Sequence, residues 1–198
     1  MKHLYGSKPS DELIALTYRK YPYYAIKSKI AEKILNAEEY SVVQSRIPIN
    51  DKTCLYSIGY EGISLEEYLN RLIQLDIKVL CDVRKNSFSM KYGFSKSQLE
   101  NACHGVGILF HHFPEVGIDS ENRQNLQTRA DRDALFQQYR AEVLPRTQSV
   151  QQAIFSLLKA HRRVAVTCFE AQSCDCHRSH LASAIAQLPG FDYEIKHL

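Results

Sequence analysis

Between Val164 and Leu188 the chain reads VAVTCFEAQSCDCHRSHLASAIAQL, and within it Cys168, Glu170, Cys174, Asp175, Cys176, His177 and Arg178 fall close together. Val164 to Cys168 is a short apolar, β-branched run, the pattern of a buried strand. From His177 onward, Ala182, Ile185, Ala186 and Leu188 recur at helical spacing. The polar residues between them therefore read as a loop leaving a strand and entering a helix. Free N–H groups at a helix N-terminus favour anions and thiolates. Cys176 stands just before that helix, beside His177 and Arg178, where a thiol pKa falls below its ordinary value of about 8.5. It is the candidate nucleophile or redox thiol. The alternative is a structural thiol whose neighbours cap the helix.

Glu170 lies two residues past Cys168, on the same side of an extended chain. It is a candidate acid, base or ligand; the competing reading is a salt bridge to Arg178 or Arg84. Asp82 and Arg84 are also two apart. Arg84 offers a planar fork suited to phosphate or carboxylate, and Asp82 is a second candidate for handling protons, or the partner that orients Arg84 or His177. The competing reading there is an internal ion pair stitching two loops. Arg84, Arg178, His177 and Tyr60 are the candidate substrate-binding side chains. Cys168, Cys174, Cys176, His177 and His180 are ligand types for zinc. Their spacing, Cys-x5-Cys-x-Cys-His-x2-His, lacks the two separated Cys-x2-Cys halves of common structural sites. Adjacent Cys176 and His177 are also awkward for one tetrahedral ion, so no metal is assigned, and no cofactor is named.

These residues need elements to position them. From Cys54 onward strand and helix patterns alternate. Cys54–Ile58 reads as a strand, followed by the turn Gly59-Tyr-Glu-Gly62 and a helix capped by Ser64 with Glu67 in a capping box. Ile77–Val83 reads as a strand and Phe88–Phe94 as a loop. Ser95 with Gln98 caps a helix that ends at Gly105 and Gly107. Ile108–Phe113 is a third strand and Pro114–Arg132 a long polar connection. Helices follow over Asp133–Leu144 and Gln148–Ala160, separated by Pro145. Phe191–His197 is a last strand after the cysteine loop and its helix. Such alternation implies an α/β fold with a mostly parallel sheet and helices on both faces. Right-handed crossovers put every strand-to-helix loop on one sheet edge. That edge gathers residues 57–61, 82–89, 111–117 and 168–178, where His111 or His112 could also reach a site.

Residues 1–50 have a different texture. Ser10 caps one helix, Pro22 opens another through Ile34 or Leu35, and Ser41–Asp51 reads as a linker with Pro48 and Asn50-Asp51 as breakers. Lysines alternate there with Tyr18, Tyr21, Tyr23 and Tyr24, a texture that can grip a nucleic-acid backbone or simply form a solvated helical pair. The organisation expected is a helical extension over 1–50 and an α/β domain over 52–198.

The motifs Ser57-Ile-Gly-Tyr-Glu-Gly62, Cys81-Asp-Val-Arg84, Phe88-Ser-Met-Lys-Tyr-Gly-Phe-Ser95, His112-Phe-Pro-Glu-Val-Gly117, Cys168-Phe-Glu170 and Cys176-His-Arg178 resemble the prokaryotic family catalogued as domain of unknown function 488. The resemblance runs from about Cys54 to the C-terminus and implies a three-layer α/β fold with polar motifs at the strand ends. Many members carry Gly-His in the first motif, where this chain has Gly59-Tyr60-Glu61, so no role for that histidine is carried over. A fainter likeness is to the rhodanese-like fold, without the Cys-x5-Arg cradle of its phosphatase relatives, since the sixth residue after Cys168 is Cys174.

Composition sets the class. The chain has 198 residues, 44% hydrophobic and 24% charged, and a net charge of +3, values ordinary for a globular protein. No apolar run approaches the roughly 18 residues of a membrane span. The opening MKHLYGSKPSDEL lacks the apolar core of a secretory signal. A cytoplasmic, reducing setting is expected, in which the six cysteines are thiols or ligands rather than a disulfide framework. The function expected is an enzyme acting on a small anionic, phosphorylated or nucleotide-like substrate. The alternatives are a nucleic-acid-associated accessory protein and a non-catalytic anion or nucleotide sensor.

Overall fold

The computed structural model describes residues 8–119 and 128–198. The chain separates into two compact units, one formed by residues up to Asn50 with Asn70–Asp76, the other by Asp51–Leu69 with Ile77–Leu198. The second carries a five-stranded sheet of β1 (Cys54–Gly59), β2 (Val79–Asp82), β3 (Leu109–His112), β4 (Arg163–Cys168) and β5 (Glu194–His197). All pairings are parallel, in the order β3-β2-β4-β1-β5. Every residue of β1, β2 and β4 is buried. That is why their sequences read as continuous apolar runs: a parallel strand covered on both faces has no solvent side to alternate with.

The helices of this sheet unit include the first residues, 65–69, of α5 (Leu65–Gln74), with α6 (Lys96–Gly105), α7 (Arg129–Gln138), α8 (Gln148–His161) and α9 (His177–Ala186). On one sheet face Leu55, Val79, Cys81, Val83, Val164, Val166 and Cys168 pack with Ile154, Phe155 and Leu158 of α8 and Leu181, Ala182 and Ile185 of α9. On the other face Tyr68 of α5 donates to Thr167 Oγ1 of β4 at 2.7 Å and meets Phe94 edge-on. The fold is therefore an α/β sheet with helices on both faces, and among the described residues the sheet is wholly parallel.

Topology selects where a ligand can enter. The connections leaving β1 and β2 run toward the β3 edge, and those leaving β3 and β4 run toward the β5 edge. Neighbours β1 and β4, and likewise β2 and β4, send their chains in opposite directions, which opens a crevice at their carboxyl ends. The register sets Gly59 beside Cys168 and Asp82 beside both Thr167 and His112. Cys168 thus stands at the middle of that edge.

In the first unit, helices α1 (Ser10–Lys20), α2 (Pro22–Ala25), α3 (Ala31–Ile34) and α4 (Ala37–Ser45) surround Ala15, Ala25, Ala31, Leu35 and Val43. The single helix expected from Pro22 to Leu35 is instead two short pieces. The expected linker from Ser41 is half helix, because Asn36 and Glu39 form a reciprocal capping box that starts α4, a signal placed upstream of the region read as linker. Arg19 and Glu39 pair at 2.6 Å across this unit.

Other boundaries shift for local reasons. Ser64 caps α5 as expected, accepting from Glu67 N at 3.2 Å. Ser95 does not cap α6 through its side chain; its hydroxyl bonds Ser89 N and O instead, and Gln98 accepts from Gly93 N. The helix expected from Asp133 begins at Arg129, because Thr128 and Asp131 form a capping box. It does not break at Pro145 but continues through a π-helical turn (Tyr139–Val143) and the turn Leu144–Arg146. Proline fits there as an early residue of that turn, where its missing N–H costs nothing. Of the expected polar connection Pro114–Arg132, residues 120–127 lie outside the described residues.

Candidate functional site

The β1 and β4 exits are built as one piece. Gly59 ends β1 where a Cβ would stand 1.8 Å from the Glu170 carbonyl oxygen, so only glycine allows this approach. The N–H groups of Tyr60 and Glu61 both donate to the Phe169 carbonyl, and the Glu61 carboxylate accepts from Ala171 N at 2.9 Å. Arg178, fully buried, completes the brace. Its Nε donates to Ser57 Oγ at 2.9 Å, Nη1 to the Glu170 carbonyl and Nη2 to the Ala171 carbonyl at 2.9 Å. The Gly-Tyr-Glu and Cys-His-Arg motifs are thus two halves of one loop support.

The β2 exit is organised around Asp82 and Arg84. Arg84 Nε and Nη2 donate to the two carboxylate oxygens of Asp82 at 2.8 and 2.6 Å, and Arg84 N adds a bond at 3.1 Å. Arg84 Nη1 donates to Tyr60 Oη at 2.6 Å and to the Phe94 carbonyl at 2.9 Å. Asp82 is wholly buried and Arg84 is 5% exposed. Burial opposes the guanidinium charge, but the Asp82 hydrogen bonds and charge outweigh it and hold Arg84 above its ordinary pKa. The Tyr60 ring stacks on Phe94 at 4.2 Å, and burial raises its phenol pKa. Gly117 of the Phe-Pro-Glu-Val-Gly motif is small for a similar reason to Gly59: a Cβ there would lie 2.1 Å from Lys85 N. His112 Nε2 bonds the Arg84 carbonyl at 2.9 Å, whereas His111 is exposed and stacks on Phe113.

Cys168, Cys176 and His177 converge at the β4 exit, with ligand atoms all within 4.8 Å of one another. All three are buried. His177 Nδ1 lies 3.8 Å from each sulfur, while its Nε2 is 3.0 Å from the Val83 carbonyl. A carbonyl accepts only, so Nε2 donates to Val83, and Nδ1 is the ring atom that faces the sulfurs. Glu170 Oε2 lies 3.2 Å from Cys168 Sγ. Burial, and then the neighbouring Cys168, raise the Cys176 pKa well above the ordinary thiol value. Cys176 is 1% exposed at this helix N-terminus. Cys174 is exposed and His180 packs against Phe136 and Arg140; neither joins this cluster.

Beside it opens a cleft of about 370 Å³ lined by Tyr60, Arg84, Lys85, Lys91, Cys168 and Phe169, among others. Lys91 Nζ reaches the Tyr60 carbonyl at 2.8 Å. Of the residues singled out from the sequence, Glu170, Cys176 and His177 gather at the cluster, while Asp82, Arg84 and Tyr60 form an adjoining network. Arg178 spends the donors described above on Ser57 Oγ and on the Glu170 and Ala171 carbonyls. Lys85, Lys91 and Phe169 escaped the sequence reading, although Lys85 directly follows Arg84. Cys168 was singled out from the sequence only as a zinc-ligand type, and the Cys-x-Glu spacing at a strand exit was a further usable sign.

The family model for the domain of unknown function DUF488 matches residues 64–185. No curated protein and no solved structure matches significantly. Among the described residues no helix is long and apolar enough to cross a membrane. The match covers more than half of the chain and contains the Cys-Asp-Val-Arg, Cys-Phe-Glu and Cys-His-Arg motifs around which the site is built, and the chain belongs to the DUF488 family.

Proposed function

We propose that the chain is an enzyme acting on a small anionic, phosphorylated or nucleotide-like substrate bound in the cleft at the carboxyl edge of the sheet. The observation that carries this reading is the position of the cleft. It lies at the crevice favoured by the topology, with Lys85 and Lys91 on its wall and Cys168 at its boundary with the buried cluster. The lysines supply charge for the anion, and Phe169, 41% exposed, supplies apolar surface for a flat ring. In this reading Asp82, Arg84 and Arg178 are positioning residues. The chemistry is placed at the cluster of Cys168, Cys176, His177 and Glu170, which borders the cleft through Cys168.

Isothermal titration with inorganic phosphate, pyrophosphate and AMP tests it. At least one probe binds wild type, more weakly as salt rises, and loses about tenfold affinity or more in Lys85→Ala/Lys91→Ala. If none of the three binds at millimolar concentration, the reading is wrong.

A second reading is favoured by a different observation. Phe88, Met90 and Tyr92 are 73%, 96% and 82% exposed on the loop that also carries Lys85 and Lys91. Exposed rings interleaved with lysines suit stacking on single-stranded bases. Anisotropy with a labelled single-stranded oligonucleotide separates the two readings: binding lost in Phe88→Ala/Tyr92→Ala, with AMP titration unchanged, favours the nucleic acid.

A further inference from the structure

We propose that Cys168, Cys176 and His177 form a zinc site, with the Glu170 carboxylate at the fourth corner. The proposal rests on the geometry of the cluster alone and holds whatever the cleft binds.

The distances fit. Zinc–sulfur bonds of about 2.3 Å and zinc–nitrogen bonds of about 2.0–2.1 Å in a tetrahedron place sulfur and nitrogen about 3.6 Å apart and two sulfurs about 3.8 Å apart. Each sulfur lies 3.8 Å from His177 Nδ1, and the three ligand atoms span no more than 4.8 Å. Each sulfur–nitrogen pair closes around an ion with a shift of about 0.2 Å, and the two sulfurs with a shift of at most about 1 Å. Glu170 Oε2 is 3.2 Å from Cys168 Sγ but outside the set of three mutually close ligand atoms, so the carboxylate turns inward to take the fourth corner.

Adjacent Cys176 and His177 are awkward for one tetrahedral ion by spacing alone, and backbone conformation eases this. Cys176 is the extended N-cap of α9, at φ −136° and ψ 141°, and His177 is the first helical residue. The change from extended to helical backbone between them brings both side chains to the end of β4. Cys168 comes from that strand, so two elements supply the ligands.

The surroundings are those of a metal site. The ligating histidine needs its other nitrogen held by an acceptor, which fixes ring and tautomer, and the Val83 carbonyl holds Nε2 at 3.0 Å. Charge balances as well. On binding, the two thiols lose their protons to solvent, two thiolates neutralise the dication, and the imidazole stays neutral. Glu170 then leaves one negative charge, near the buried Arg178 guanidinium that braces the Glu170 backbone. Thiolate and imidazole donors together select zinc over hard cations such as magnesium or calcium.

The test uses the full chain, purified under reductant and stripped of metal, then titrated with Co²⁺ and with Zn²⁺ against a chromophoric chelator. The expected result is saturation at one ion per chain. Co²⁺ then gives a sulfur-to-metal charge-transfer band and the intense visible bands of tetrahedral coordination. Zinc protects Cys168 and Cys176, but not Cys174, from alkylation read by mass spectrometry. Cys174→Ala keeps all of this, Glu170→Gln binds about tenfold more weakly or worse, and Cys176→Ser loses the tetrahedral spectrum. Wild-type reduced protein that shows no thiolate charge-transfer band with Co²⁺, or a band that survives in Cys176→Ser, overturns the proposal. Because wild type alone decides the first outcome, a variant that fails to fold does not shelter the idea. Phosphate and AMP are absent throughout, so failure here is distinct from failure of the ligand reading.

Discussion

Replacing Asp82 by Asn tests whether this carboxylate handles protons or holds a buried charge. The change is nearly isosteric. The Oδ1 position can still accept from Arg84 N and Nε, but the amide that replaces Oδ2 presents N–H groups to Arg84 Nη2, where a 2.6 Å ion pair stood. Arg84 then keeps its charge, 5% exposed, with its counter-charge gone. Breaking a buried pair from one side costs about 3–5 kcal/mol. With a urea slope of about 2 kcal/mol/M, the unfolding midpoint drops by about 1.5–2.5 M. Domains of this kind have about 5–15 kcal/mol in total, so the variant remains folded in buffer or sits near the limit. The assay is urea denaturation followed by far-ultraviolet circular dichroism, for wild type, Asp82→Asn and Asp82→Asn/Arg84→Met. The double variant removes the stranded charge and recovers part of the loss. If Asp82→Asn costs less than about 1 kcal/mol at unchanged slope, or the double variant is the sum of two independent losses, the counter-charge account is refuted.

Two further outcomes follow from the same geometry. Gly59→Ala drives a Cβ into the Glu170 carbonyl, which Arg178 holds in place. It destabilises by about 3 kcal/mol, at the upper end for overpacking, whereas unchanged thermal stability would mean the two strand exits are not in contact. Tyr56 is buried, and burial, with Cys54 beside it, pushes its phenol from its ordinary 10.0 up to about 12. Because the folded-state pKa is the higher one, the contribution is complete below about pH 10 and is lost as pH rises toward 12. Denaturation midpoints of wild type should fall through that window, and those of Tyr56→Phe should fall less; parallel curves would contradict the assignment.

The alternation of strands and helices was legible in the sequence because burial on both faces leaves β1, β2 and β4 as short apolar runs between polar exits. The family was legible too, and its match over residues 64–185 spans five of the six motifs that carried the resemblance. Helix starts were less so. Asn36 with Glu39 and Thr128 with Asp131 are short polar pairs that look like loop until the backbone closes around them.

Residue types alone made Cys176, His177, Glu170, Asp82, Arg84 and Arg178 candidates, and the two-residue spacings correctly put Asp82 beside Arg84 and Cys168 beside Glu170. Only the tertiary structure decided their surroundings. Whether an arginine faces a ligand or a carbonyl depends on which loop crosses it, and Arg178 meets the backbone of its own strand exit. Whether a helix-terminal thiol is activated depends on burial, which a local window does not contain, and Cys176 is 1% exposed. Strand order was equally invisible, because it is set by which crossovers pack rather than by any strand's own residues. That order places β4 between β1 and β2, and so brings Cys168, Cys176 and His177 to one point beside the cleft.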